Sequence, residues 1–164
     1  LKKYRDLNSD FIFSYPSYNV RSTELNANLG ISQLKRLKKN NLIRSKNFSY
    51  FLKNLNKDKF FVNFDITGSV NYGLIILLNK SYANHKIRAR LEKLLKKNNI
   101  EFRRGMSGGG NQLRQPYMKN IMPNFNKNNF QNIEFVHKYG YYIGNYPNLR
   151  KSKILKICKI INDI

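Results

Sequence analysis

Tryptophan is absent from these 164 residues, and there are only one cysteine, two histidines and nine acidic side chains against 31 basic ones. The single cysteine, Cys158, can form no internal disulfide. Its place on the apolar face of a predicted last helix reads as a small core residue, which suits a reducing, cytoplasmic setting. Two separated histidines, His85 and His137, with one thiol and few carboxylates do not make a metal set, so no metal is expected; each histidine reads as structural. No carboxylate pair suits glycosidase work, and nothing is spaced as a Ser/His/Asp nucleophile. The longest apolar run, Leu74 to Leu78, has the length of a buried strand and falls far short of the ~20 residues that cross a bilayer, so no membrane partner is expected. No internal repeat is visible, which sets a solenoid aside.

What is abundant is positive charge. A formal charge of +22 makes nucleic acid or an anionic membrane the first partner to weigh. Lysine outnumbers arginine by about two to one, however, and Asn, Ile, Phe and Tyr are also frequent, as AT-rich coding produces without selection for a basic surface. The basic residues are spread along the chain in short clusters such as Lys38-Lys39, Lys96-Lys97 and Arg103-Arg104, whereas nucleic-acid binders concentrate them on one face. The length fits one domain. The chain opens at Leu1, and its first ten residues carry neither a signal-peptide core nor a transit pattern, so the start is expected to be internal to a longer polypeptide.

Residues 1–18 read as a loop or short strand with Phe11, Phe13, Tyr15 and Tyr18 alternating around Pro16. A long helix is predicted from Ser22 as N-cap, with Glu24 near its positive end. Its apolar residues recur at Leu25, Leu29, Leu34 and Leu37 and then at Phe48, Phe51, Leu52 and Leu55, a face that shifts midway as if different partners covered the two halves. Gly30 inside this helix predicts a close neighbour. Residues 60–66 and 72–78 read as an antiparallel pair turning at Thr67-Gly68-Ser69, the second strand central because it is apolar on both faces. Residues 83–99 form an amphipathic helix, 101–104 a short strand, 105–115 a glycine-rich loop and 120–132 a surface connection. Residues 141–143 form a last strand, and Ile154, Ile157, Cys158 and Ile161 mark a closing helix. The predicted fold class is α+β: a small, mainly antiparallel sheet with helices packed on one face.

Two constellations can carry chemistry. Ser17-Tyr18-Asn19-Val20-Arg21-Ser22-Thr23-Glu24-Leu25 delivers an amide and a guanidinium just before a helix start, where an anion is favoured; an ordinary capped helix is the plainer reading. Phe102-Arg103-Arg104-Gly105-Met106-Ser107-Gly108-Gly109-Gly110-Asn111-Gln112-Leu113-Arg114-Gln115-Pro116-Tyr117 joins three glycines, which admit close backbone approach, to planar donors suited to phosphate. It lacks the Gly-Lys-Ser/Thr ending of a P-loop and any G-x-G-x-x-G pattern, and a surface loop is its plainer reading.

Taken together, these stretches resemble the carboxyl-terminal part of the DegT/DnrJ-type sugar aminotransferases, pyridoxal-phosphate enzymes acting on nucleotide-linked keto-sugars. The region's opening signature resembles Gly-Tyr-Asn-Tyr-Arg-Met-Thr-Glu-Leu-Gln-Ala-Ala-Leu-Gly. Here it reads Ser17-Tyr18-Asn19-Val20-Arg21-Ser22-Thr23-Glu24-Leu25-Asn26-Ala27-Asn28-Leu29-Gly30, with Gln33-Leu34 in register. Residues 99–117 and Tyr142-Ile143-Gly144-Asn145-Tyr146-Pro147 are similar to the branch containing CDP-4-keto-6-deoxyglucose 3-dehydrase. The resemblance implies a connecting segment at 1–21 and a carboxyl-terminal small domain at 22–164. It also implies pyridoxal 5'-phosphate or pyridoxamine 5'-phosphate as cofactor, a nucleotide-sugar substrate for lipopolysaccharide or other cell-surface sugars, and a homodimer with shared sites. Asn19 would contact the cofactor phosphate of the neighbouring subunit, and Arg21 would lie close by. Gly109, Gly110, Asn111, Arg114 and Gln115 would bind the nucleotide-sugar. Ser17 departs from the family's usual glycine. No lysine here has the Gly-Gly context of the family's Schiff-base lysine, or of the histidine that replaces it in the dehydrases, so this chain supplies no catalytic residue and should not catalyse alone. Two other readings stand beside this one: a basic nucleic-acid-binding module that inherited the fold, and a non-catalytic structural subunit.

Overall fold

The computed structural model describes residues 7, 12–16, 18, 22–105, 110–124 and 126–164. Helix α1 (Glu24–Asn54) starts at Thr23, whose hydroxyl accepts the Asn26 N–H at 3.4 Å, so the cap lies one residue beyond the predicted Ser22. Only its second half reaches the core: Phe48, Phe51, Leu52 and Leu55 are buried, whereas Leu25, Leu29 and Leu34 are 75, 64 and 66 % exposed. Nothing lies within 4 Å of a Cβ built at Gly30, so the neighbour predicted there is not present among the described residues.

The sheet has the order β1 (Gly73–Leu77), β3 (Gly140–Gly144), β2 (Arg103–Arg104), with β3 antiparallel to both neighbours. The centre is therefore β3, and the prediction that residues 72–78 are central is corrected. Its physical basis was real, since Leu74, Ile76 and Leu78 are fully buried, but they are buried by helices on one face rather than by strands on both sides. The expected hairpin with residues 60–66 is also corrected. Only Phe60 bridges Leu78, flanked by Phe61 N–H to Leu77 O at 2.8 Å and Asn79 N–H to Lys59 O at 2.9 Å. Beyond that point Val62 and Phe64 pack onto the core without a ladder, and Phe64 meets Phe61 edge-on at 4.9 Å.

Register fixes which side chains face the helices. Leu74 pairs with Ile143 and Ile76 with Tyr141, putting these four on the buried face over α1, α2 (His85–Lys97) and α5 (Lys151–Asn162). Helix α2 is capped at both ends: Asn84 Oδ1 accepts the Ile87 N–H at 3.0 Å, and Asn99 takes a left-handed φ of 53°. Asn99 N–H then reaches Lys96 O, and Ile100 N–H reaches Leu95 O, which stops the helix where the sequence resumes as a strand. Residues 118–139, expected as a connection up to 132, contain α3 (Met118–Ile121) and α4 (Gln131–Tyr139), and α4 runs directly into β3. At that junction a Cβ on Gly140 would meet the Val136 carbonyl at 2.6 Å, so only glycine turns the chain this tightly.

Asn145, at the end of β3, ties the sheet to α1. Its amide donates to Arg44 O at 3.0 Å and Asn71 O at 2.8 Å and its oxygen accepts from Asn47 at 3.3 Å, all with both asparagines nearly inaccessible. Asn145→Ala removes three hydrogen bonds at this junction, among them the one that satisfies the buried Asn47 amide. It is expected to lower stability by about 2–4 kcal/mol, read as a fall in denaturation midpoint. Cys158 is 1 % exposed and burial pushes its thiol up to about 12. An alkylating reagent is expected to label it only in denaturant; rapid labelling of the folded chain would contradict its burial.

Candidate functional site

The second constellation is built on α4. Gly110 has φ +90°, and a Cβ there would lie 2.3 Å from His137 Nδ1, so the loop can lie on the imidazole only because residue 110 is glycine. The next residue, Asn111, is 2 % exposed. Its N–H donates to His137 Nδ1 at 3.1 Å, and its Oδ1 accepts the Leu113 N–H at 3.0 Å, which starts a 3-10 turn over Gln112–Arg114. Because Nδ1 accepts, its lone pair is free of a proton and the imidazole in this arrangement carries its hydrogen on Nε2.

Glu134, one helical turn before His137, gathers the loop's donors. Asn111 Nδ2 donates to its Oε1, and Arg114 Nε lies 2.9 and 3.2 Å from the two oxygens, with a second guanidinium nitrogen on Oε2. The pair is little exposed, 13 and 14 % by side chain, so this fork-on-carboxylate contact is strong and directional. The Arg114 hydrogen bonds hold the Glu134 carboxyl below the usual carboxylate range; partial burial pushes the other way, and the Asn111 amide helps to lower it.

Gln115, 1 % exposed, turns its Oε1 to the Phe13 N–H at 3.0 Å. The loop is thereby fastened to the segment that leads towards the first constellation. Of the predicted site residues, Gly110, Asn111, Arg114 and Gln115 are thus brought together, while Asn19, Arg21 and Gly109 lie outside the described residues. The two organising side chains, Glu134 and His137, were not singled out for the site by sequence reasoning. The usable signal was charge: Glu134 is the only acidic residue between positions 102 and 162.

Covalent attachment of a carbonyl cofactor needs a lysine whose amine is neutral, which a desolvated pocket provides. Among the described residues every lysine whose surroundings are described is exposed except Lys59, and Lys59 donates to the main-chain oxygens of Asn162 and Ile164 at 2.7 and 2.8 Å. These residues do not fit an attachment site. No group of three or more His, Cys, Asp or Glu is placed to hold a metal among the described residues, and none of their helices is long and apolar enough to cross a membrane.

The profile of the DegT/DnrJ/EryC1/StrS aminotransferase family matches residues 2–162. The chain belongs to this family. Within it, the chain is 30 % identical over 142 residues to a GDP-4-keto-6-deoxy-D-mannose 3-dehydratase of Escherichia coli, a match covering 83 % of this chain and 34 % of that protein. A solved structure of the E. coli GDP-4-keto-6-deoxy-D-mannose-3-dehydratase with bound hydrated PLP superposes with a TM-score of 0.74 at 28 % identity, over 93 % of this chain and 38 % of the other. An aminotransferase from Psychrobacter cryohalolentis shares the fold at a TM-score of 0.65 and 19 % identity, over 91 % of this chain and 42 % of its own. The chain therefore spans between a third and a little over two fifths of the length of these proteins.

Because its carboxyl is held low, Glu134 contributes stability that is complete above its unfolded value near 4.5 and is lost as pH falls through the lower folded value. Glu134→Gln is expected to cost about 1.5–3 kcal/mol at neutral pH. It should also flatten the acid limb of the stability profile, followed by thermal melts from neutral pH downward. An unchanged acid limb would show that the carboxylate does not anchor the loop.

Proposed function

We propose that this chain is the small-domain portion of a pyridoxal-phosphate-dependent aminotransferase or dehydrase acting on nucleotide-linked keto-deoxy sugars, with residues 22–164 as that domain and 1–21 as the connection to a cofactor-bearing part. The observation that carries the reading is the part-buried knot beneath the Gly110 turn, in which Glu134 of α4 holds Asn111 and Arg114, two of the residues through which the sequence resembles the dehydrase-like branch. A loop fastened this firmly from below holds one wall of a site at fixed geometry. In this reading Gly109 and Gly110 let the backbone approach the nucleotide-sugar, and Asn111, Arg114 and Gln115 bind it by fixing the loop's shape. Asn19 and Arg21 act at the cofactor phosphate and beside it. When bound, pyridoxal phosphate supplies the electron sink; this chain positions the substrate and closes off solvent.

The exposed Leu25, Leu29 and Leu34 of α1 support a larger, homodimeric assembly, since so much apolar surface on one helix is unusual for a surface left in water. The single buried Cys158 accords with a cytoplasmic setting, and lipopolysaccharide or related cell-surface sugars are the expected destination of the product.

The test uses the full-length polypeptide with pyridoxal phosphate, glutamate and a GDP-linked 4-keto-6-deoxy sugar, followed by mass spectrometry. An amino group in place of the keto oxygen, or loss of a hydroxyl, supports the proposal; unchanged substrate overturns it. The 164-residue chain alone is expected to give no product. Asn19→Ala in the full-length protein is expected to weaken cofactor retention by about tenfold, the cost of one hydrogen bond to a charged phosphate.

A further inference from the structure

A pocket of about 400 Å³ opens where the start of α2 meets the end of α4 and the edge strand β2. It is lined by His85, Arg88, Arg104, Arg114, His137 and Lys138, together with Tyr139, and among the described residues no carboxylate lines it. The nearest acids stand behind the wall. Glu134 is occupied by Arg114 and Asn111. Glu92 accepts the Tyr141 hydroxyl at 2.9 Å and lies 3.9 Å from Arg88 Nε and 3.8 Å from Arg104. Those last two separations exceed hydrogen-bonding distance, so Glu92 steadies two guanidiniums electrostatically without using up their donors, and one Arg88 nitrogen lies 3.4 Å from His85 Nδ1. Both are only 22 and 27 % exposed, which strengthens their field on anything that enters.

From this arrangement we infer that the pocket is an oxyanion site for a phosphate dianion, held by Arg88, Arg104 and Lys138. Two planar guanidinium forks and a lysine ammonium match a tetrahedral phosphoryl group better than a lone carboxylate, which one fork would satisfy. The first turn of α2 adds the positive end of its dipole to the same side. The concavity also argues against an extended polyanion, whose recognition needs charge along a face or groove rather than around a hollow. The phosphoryl group could belong to a free phosphate or to a nucleotide. The inference stands without the proposed function, since it uses only groups that line the pocket.

Calorimetric titration of the full chain with inorganic phosphate at constant ionic strength tests it. Saturable binding is expected, weakened about tenfold by Lys138→Gln and by about a hundredfold by Arg88→Gln with Arg104→Gln, roughly tenfold for each charge-assisted contact removed. A paired Lys35→Gln, Lys38→Gln change on the exposed half of α1 removes equal charge and is expected to leave the affinity unaltered. Lys138 is itself exposed, so its replacement keeps the test valid if the double arginine variant fails to fold. Competition between phosphate and GDP would assign the phosphoryl group to a nucleotide, and independent binding would assign it to free phosphate. Absence of saturation up to about 10 mM, or equal weakening in the α1 control, would show diffuse attraction to a basic protein and overturn the site.

Discussion

In a chain with a net charge of +22, hydrogen-bond donors are plentiful and carboxylate acceptors are scarce, and the site depends on how one carboxylate is used. Glu134 takes both the Asn111 amide and the Arg114 guanidinium. Without it, the Arg114 guanidinium and the Lys138 ammonium would line the same pocket without the carboxylate that pairs with Arg114. Glu134 can do this only because α4 is fixed, and α4 is fixed by running without a linker into β3, the strand that both other strands pair with. The mechanical path therefore leads from the packed core under Tyr141 and Ile143, through β3 and α4, to Glu134, the glycine loop and Gln115. It ends at Phe13, a few residues before the other candidate constellation.

Strand periodicity sorts the positive charge. Arg103 and Arg104 are adjacent in sequence, yet β2 pairs them with Tyr142 and Tyr141, which point to opposite faces of the sheet. Arg104 is sent to the helix side, near Glu92 and the basic pocket, while Arg103 stands opposite Tyr142 on the other face. The sequence-level view that the charge is spread evenly holds along the chain, but folding gathers Arg88, Arg104, Arg114 and Lys138 from four separate elements into one hollow. A linear count of basic clusters cannot see this, because the residues that meet are separated by ten or more positions.

The parts of the fold legible in the sequence are those whose local pattern and tertiary setting agree. Helices α2 and α5, the strand at 141–143, and the α+β arrangement with helices on one face all follow from apolar periodicity. Residues 60–66 show the limit of that signal. Their burial alternates as a strand's would, with Val62 and Phe64 inward, but aromatic packing rather than a hydrogen-bond ladder holds them once Phe60 has bridged Leu78. Helix α4 fails in the opposite way. Asn132, Ile133, Phe135 and Val136 are indifferent helix formers and Phe130 gives no side-chain cap, so contacts with β2 and β3 impose a helix that propensity alone does not. His137 reads as structural from the sequence and is buried, but without α4 neither Glu134 nor the contact of His137 with the glycine loop at Gly110 and Asn111 can be seen.

Helix α1 carries the same kind of apolar recurrence in both halves and only one half is covered. Periodicity reports that a face is apolar; it does not report what meets it. Phe48, Phe51, Leu52 and Leu55 close the core, while Leu25, Leu29, Leu34 and Leu37 stay in contact with water at 46 % exposure or more. Covering a large apolar side chain contributes about 1.5–3 kcal/mol, so four such residues, even at half that value, represent roughly 3–6 kcal/mol. That is comparable to the net stability of an ordinary domain. A helix start costing this much in isolation fits a polypeptide whose relatives are more than twice its length, and it explains Gly30 as well. A glycine in a helix interior forfeits about 1 kcal/mol against alanine. In the proposed function the element that covers the leucines is also the one that would approach Gly30, and both features of the uncovered half are then set by the same missing contact.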